Sequence, residues 1–296
     1  MKFNNLSSII PWILLLNALL INQQTVSGQT KYHTARSADG TAIGFTKIGS
    51  GSVPVVFVHG ALSSGEQWMP VAEAMGEHFT CYVMDRWGRG GSDSHTNYSL
   101  NSEAEDIVAV LKAAGPDAYL LGHSSGAIYA LEAALKTPPA GLILYEPPIH
   151  AFHGRFIEET LGRIQNASVK EQFEDALSIF LTDEAGLSGE EVAFFQSTPG
   201  SGWDQMVKLT PHSVKEWAEL AQNKPTINRY RDIAVPTLFL AGTETENNPS
   251  FATQALDDML PKSRIVKLIG QGHGANLSAP EMVAKEITNF ILETNR

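Results

Sequence analysis

Residues 119–126 read Tyr119-Leu120-Leu121-Gly122-His123-Ser124-Ser125-Gly126, and an Ala/Leu-rich stretch follows from Ala127 to Leu135. An apolar run, a glycine-bounded turn and a helix-forming run predict a strand, a sharp turn and a helix in that order. A serine on such a turn projects its hydroxyl above the sheet. The turn strains the serine backbone, so its close neighbours must lack side chains, which accounts for Gly122 and Gly126. The helix that starts beneath it aims free N–H groups and a positive dipole end at the hydroxyl. Ser124 is therefore the candidate nucleophile. Ser125 is a rival, but it lacks the symmetric glycine spacing.

Strand and helix patterns alternate on both sides of this stretch. Ala42 to Lys47, Val53 to Val58, Phe79 to Met84, Ala118 to Leu121, Leu142 to Tyr145, Pro236 to Ala241 and Arg264 to Leu268 read as strands. Val53-Pro54-Val55-Val56-Phe57-Val58 is almost wholly apolar, as a strand covered on both faces should be. Helical spacing fills the intervals at Trp68 to Glu77, from Ser99 onward, at Phe251 to Met259 and at Ala279 to Leu292. Such alternation predicts a parallel, doubly wound α/β sheet. It fails between about Pro147 and Arg231, where Phe156, Leu161 and Ile164, then Phe173, Leu177 and Phe180, suit amphipathic helices. We read residues 29–146 and 232–296 as the sheet domain and 147–231 as a helical cap inserted into it.

A serine hydroxyl is a poor nucleophile at neutral pH and needs a base. His273 lies in Gly270-Gln271-Gly272-His273-Gly274, just after the last expected strand. Loops beyond the C-terminal ends of parallel strands are where such sheets place their sites. The oxyanion formed on attack needs preorganised N–H donors. The amide of Ser125 is one candidate. The other is the amide of Ala61, in His59-Gly60-Ala61-Leu62 after the strand Val53 to Val58. His59 reads as a brace for that loop, and His123 as a side chain packed beside the elbow.

The bulk properties narrow the partners. The chain has 296 residues, enough for a sizeable core without staples, and a formal net charge of −11. That charge argues against a nucleic-acid partner and against stable membrane association. The lone cysteine, Cys81, excludes an internal disulfide and reads as a small core residue. The histidines lack paired ligand spacing, so no metal is expected, and no phosphate-binding glycine loop is convincing, so no cofactor is expected either. At the N-terminus, Lys2 precedes an apolar run from Ile9 to Ile21, and Val26-Ser27-Gly28 supplies small residues for cleavage. This layout predicts a signal peptide over residues 1–28 and a secreted or periplasmic protein, with an uncleaved membrane anchor as the alternative.

Val58-His59-Gly60, Asp85-Arg86-Trp87-Gly88-Arg89-Gly90-Gly91-Ser92, the elbow and Gly272-His273 occur in the order and spacing of the α/β-hydrolase superfamily. From about residue 31 onward the chain resembles that superfamily. The resemblance implies a sheet of about eight strands, a helical cap and a Ser–acid–His triad. Such enzymes carry the acid after the sixth or the seventh strand. Many relatives have G-D-x-D after the seventh, but here Thr243 and Thr245 fill the aspartate places and Glu244 and Glu246 are out of step. Glu146, in Leu144-Tyr145-Glu146-Pro147-Pro148, ends the sixth strand, where the haloalkane dehalogenase branch is similar in placing a glutamate. We expect Glu146 as the acid, with Glu244 as the alternative.

Dehalogenases and epoxide hydrolases of this fold use an aspartate at the elbow, so a serine there points to acyl transfer. The expected protein is a serine hydrolase of small-molecule esters or similar acyl compounds, working through an acyl-enzyme. Two alternatives stand beside it. One is a cofactor-free haloperoxidase or perhydrolase on the same fold. The other is a binding protein that keeps the pocket without turnover.

Overall fold

The computed structural model describes residues 31–149, 159–245 and 250–295. The expected signal peptide, Phe156 and Glu246 lie outside the described residues.

Eight strands form one sheet: β1 (Lys31–Arg36), β2 (Ala42–Ile48), β3 (Val53–Val58), β4 (Phe79–Met84), β5 (Tyr119–His123), β6 (Gly141–Tyr145), β7 (Thr237–Gly242) and β8 (Ser263–Leu268). Their spatial order is β1-β2-β4-β3-β5-β6-β7-β8. β2 runs antiparallel to both neighbours, and every other pair is parallel. The doubly wound sheet expected from the alternation is the one observed. β1 was not among the strands read individually from the sequence. It is an edge strand in which Ala35 is buried while Tyr32, Thr34 and Arg36 face solvent, so it carries no apolar run.

The helices are α1 (Met69–Met75), α2 (Leu100–Ala114), α3 (Ser125–Lys136), α4 (Leu161–Val169), α5 (Phe173–Asp183), α6 (Gly189–Ser197), α7 (Trp203–Asn223), α8 (Ser250–Met259), α9 (Ala275–Ser278) and α10 (Pro280–Thr294). Alternate strand residues feed two core layers. Val55, Phe57, Cys81, Leu121 and Tyr145 pack with α1 and α10 residues such as Met75 and Ile287. Val56, Val58, Leu120 and Leu144 pack on the other face with Ile107 of α2 and Ile128 of α3. Cys81 is fully buried, and burial pushes its thiol up to about 12, so it is inert core.

Helices α4 to α7 lie between β6 and β7 in the chain. Their apolar residues, including Leu161, Ile164, Leu177, Trp217 and Leu220, join the α2/α3 core layer. The inserted helices are thus packed on the sheet domain rather than tethered to it. α7 is not among the helices read from the sequence, and it holds Pro211 in its interior, where a helical hydrogen bond is lost. Tertiary anchoring offsets the lost hydrogen bond: Trp217 is buried and stacks on Phe180 at 4.2 Å, and Glu219 accepts the Leu100 N–H at 2.9 Å.

Away from the strand ends, His95 is held between Asp106 (Nε2 to Oδ2, 2.7 Å) and Asp39 (Nδ1 to Oδ2, 2.8 Å). Burial first, then the charge of Glu103, raise the Asp106 carboxyl from 3.8 to about 7. Burial alone would lower His95, but the bonds and charges of Asp106 and Asp39 outweigh it and raise the imidazole. Both shifts make the folded state hold protons that the unfolded chain releases. The stability from this cluster therefore falls as pH rises through the raised values. Asp106→Asn is expected to flatten the decline in Tm between about pH 4 and pH 7, the span of the Asp106 shift, as read by calorimetry. Equal slopes in both proteins would count against this linkage.

Candidate active site

The sheet register brings several strand ends together. In β5 and β6, His123 pairs with Tyr145, so Ser124 and Glu146 leave adjacent strands side by side. Val58 pairs with Gly122, which brings the loop after β3 beside the same elbow. The loop after β8 carries His273.

Ser124 has φ +53° and ψ −129°, and α3 begins at the next residue. Its N–H donates to the Tyr145 carbonyl at 2.9 Å, which ties the strained residue to the neighbouring strand. Such a conformation costs on the order of 1–3 kcal/mol in a non-glycine residue. The flanking glycines supply room rather than dihedral freedom. A Cβ on Gly126 would lie 2.4 Å from the His59 carbonyl oxygen, and one on Gly122 would lie 2.5 Å from that of Gly126. Leu62 (φ +51°) and Glu146 (φ +49°) share the left-handed conformation. Backbone strain is thus concentrated where three of the converging loops leave the sheet. The Ser125 hydroxyl is buried, so the rival nucleophile has no access to solvent.

The Glu146 side chain is 2 % exposed, and its Oε2 lies 2.5 Å from Nδ1 of His273. Its Oε1 accepts from the Gly242 N–H and the Thr245 hydroxyl, both at 2.7 Å. A carboxylate can only accept, so Nδ1 of His273 carries the hydrogen and Nε2 is left as the basic nitrogen. Glu244 is exposed, and its Oε1 accepts from the Thr243 hydroxyl at 3.2 Å. The structure therefore brings Glu146, and not Glu244, to the imidazole. Thr245 fills a position where an aspartate was expected from the resemblance and supports the Glu146 carboxylate instead.

The residues just before Ser124 and Glu146 hold the histidine loop. His123 donates from Nε2 to the His273 carbonyl at 3.0 Å, and its ring lies between those of Tyr145 (4.8 Å) and His273 (4.6 Å). Burial, then the charge of His273, hold His123 well below the ordinary imidazole value. Tyr145 donates its hydroxyl to the Gly272 carbonyl and accepts the Ala275 N–H at 3.1 Å. Sequence reasoning placed His123 beside the elbow but missed Tyr145, which had been read only as the end of an apolar strand.

The loop after β3 approaches the elbow closely, since a Cβ on Gly60 would stand 3.0 Å from that of Ser124. The Gly60 carbonyl accepts from Nδ1 of His59 at 2.8 Å and from Nη1 of Arg86 at 3.1 Å. Nε2 of His59 accepts the Arg86 N–H at 3.1 Å. With both nitrogens engaged and the ring buried, His59 is neutral: burial, then the charges of Arg86 and Arg89, lower its titration well below the usual range. The trans Gly60–Ala61 peptide points its N–H away from the held carbonyl. Among the described residues the Ala61 N–H has no hydrogen-bond partner. No group of three or more described His, Cys, Asp or Glu side chains has the geometry to hold a metal ion.

Residues 55–286 match the family described as the alpha/beta hydrolase family. The chain is 29 % identical over 262 residues to 2-(acetamidomethylene)succinate hydrolase of Mesorhizobium japonicum, covering 82 % of this chain and 89 % of the relative. It is 23 % identical over 254 residues to the pimeloyl-[acyl-carrier protein] methyl ester esterase of Xanthomonas oryzae, covering 82 % and 96 %. The crystal structure of an alpha/beta hydrolase from Sphaerobacter thermophilus superimposes with a TM-score of 0.77 at 32 % identity, covering 87 % of this chain and 99 % of that one. With more than half its length matched, the chain belongs to the alpha/beta hydrolase family and is an α/β-fold hydrolase.

Proposed function

We propose that the protein is a serine hydrolase that cleaves a small-molecule carboxylic ester or related acyl bond, amides included, through an acyl-enzyme. One observation carries the reading. The strained Ser124 stands at the strand end beside Glu146, whose buried carboxylate bonds Nδ1 of His273 at 2.5 Å. In this reading Ser124 Oγ attacks the carbonyl carbon, and His273 Nε2 takes the hydroxyl proton. The N–H groups of Ala61 and Ser125 receive the oxyanion. His273 then delivers the proton to the leaving group. Water, activated by the same nitrogen, releases the acyl product and restores Ser124. Glu146 holds the tautomer and balances the imidazolium. Helices α4 to α7 serve as the cap over the pocket. The names of the curated relatives, one a methyl ester esterase and one a hydrolase of an acetamido compound, support the bond class. The apolar run near the N-terminus supports export through a signal peptide, on sequence alone.

The test is turnover of p-nitrophenyl esters and p-nitroanilides of increasing acyl length by the full chain, with organophosphonate labelling alongside. Cleavage with stoichiometric labelling at Ser124 is expected. Labelling without cleavage of any ester or anilide would favour the binding protein. Absence of both would remove the serine mechanism. Thr245→Val deletes one of the bonds that seat Glu146. It is expected to lower kcat about tenfold, the scale of one hydrogen bond to a charged group. An unchanged kcat would remove Thr245 from the machinery.

A further inference from the structure

The elbow and the histidine loop belong to the sheet domain, but the loop after β3 is also gripped from the inserted segment. The Ser213 Oγ of α7 accepts the Leu62 N–H at 3.0 Å across a sequence separation of 151. Leu62 is buried and carries a left-handed φ of +51°. One turn further along α7, Glu216 forms an ion pair with Nη2 of Arg86 at 3.0 Å and another with Arg89. Arg86 is also paired through Nε with Glu103 of α2 at 2.6 Å, and all four charged side chains are fully buried. The two arginines and two glutamates balance in charge, and Arg86 lies over the Tyr129 ring at 4.4 Å. The guanidinium is therefore fixed in place while its Nη1 reaches the Gly60 carbonyl.

These contacts act on two consecutive peptide planes. Arg86 holds the carbonyl of the Gly60–Ala61 plane, and Ser213 holds the N–H of the Ala61–Leu62 plane. The Ala61 N–H lies between the two held groups, and its direction is set by both. We propose that α7 is a positioning element of the oxyanion hole: Ser213 through Leu62, and Glu216 through Arg86, set the aim of the Ala61 N–H. The inference rests on the serine-hydrolase reading. Oxyanion donors work because they are oriented before the reaction. A hold anchored on the inserted helices makes that orientation depend on how α7 is seated.

The test uses Ser213→Ala, Ser213→Thr and Glu216→Gln in the full chain, with active sites titrated by an organophosphonate. The readouts are kcat per titrated site and KM for p-nitrophenyl acetate, affinity for an aryl trifluoromethyl ketone, and Tm. Ser213→Ala is expected to lower kcat about tenfold, a fraction of the roughly 10²–10³-fold cost of losing an oxyanion donor outright. KM stays within about twofold, and ketone affinity falls by the same factor as kcat, because the ketone adduct carries the oxyanion. Ser213→Thr, which keeps the hydroxyl, restores both. Glu216→Gln is expected to act in the same direction with a lower Tm. A merely structural role would lower Tm or the number of titratable sites and leave kcat per site and ketone affinity alone; that result with Ser213→Ala overturns the proposal. A wild-type chain that neither labels nor turns over would instead overturn the underlying reading, and the inference with it.

Discussion

Ser124→Ala is expected to lower kcat by about 10⁴- to 10⁶-fold, the range seen when a triad nucleophile is removed. The substitution deletes one oxygen and leaves the fold intact. The backbone N–H that donates to Tyr145 and the helix that starts at Ser125 remain. KM should change little, because ground-state contacts with the substrate are kept. The small residual rate would come from the oxyanion donors and from substrate positioning. Steady-state kinetics on a cleaved ester, with mass spectrometry for the acyl adduct, checks both halves. The wild type should accumulate an adduct at Ser124, and the variant none. Turnover within tenfold of wild type would show that a different group attacks.

Glu146→Gln is expected to cost about 10⁴-fold in kcat, whereas Glu244→Gln should stay within about twofold of wild type. The reason lies in the partners of the carboxylate. Oε1 of Glu146 accepts from Gly242 N–H and the Thr245 hydroxyl, so an amide at this position would turn its carbonyl oxygen toward those donors. Its NH₂ would then face Nδ1 of His273 in place of Oε2. A donor there forces the imidazole into the other tautomer, and Nε2 is no longer the base. The side chain of Glu244 points to solvent and to Thr243, so its loss touches nothing that holds His273. Measuring both variants against one ester decides the matter: a large loss in Glu244→Gln with a small one in Glu146→Gln would reverse the assignment.

Most of the architecture was legible in the chain because the relevant signals are local. Apolar runs such as Val53–Val58 and Phe79–Met84 declare strands buried on both faces, and these are strands β3 and β4. The helical spacing begins at Ser99, which caps the helix by accepting the Ser102 N–H. The elbow was readable because a strained serine needs glycines at fixed offsets, and the observed φ of Ser124 with crowding at Gly122 and Gly126 follows that logic. β1 and α7 were not legible. An edge strand lacks a continuous apolar run, and Pro211 masks a helix that tertiary contacts hold.

What the sequence determined by itself was the set of backbone turns and the periodicity that buries each element. Those depend on a few neighbouring residues. Which carboxylate meets His273 was a different kind of question, since Glu146 and Glu244 both follow a strand and both have the right chemistry. Only the tertiary structure decided it: β7 lies between β6 and β8, and the loop after β8 returns to the end of β6, where His273 meets Glu146 across 127 positions. The same holds for Thr245 beneath Glu146, for Ser213 against Leu62 and for Glu216 against Arg86. A contact between distant residues is fixed by how whole elements pack, and no local pattern of residues carries that information.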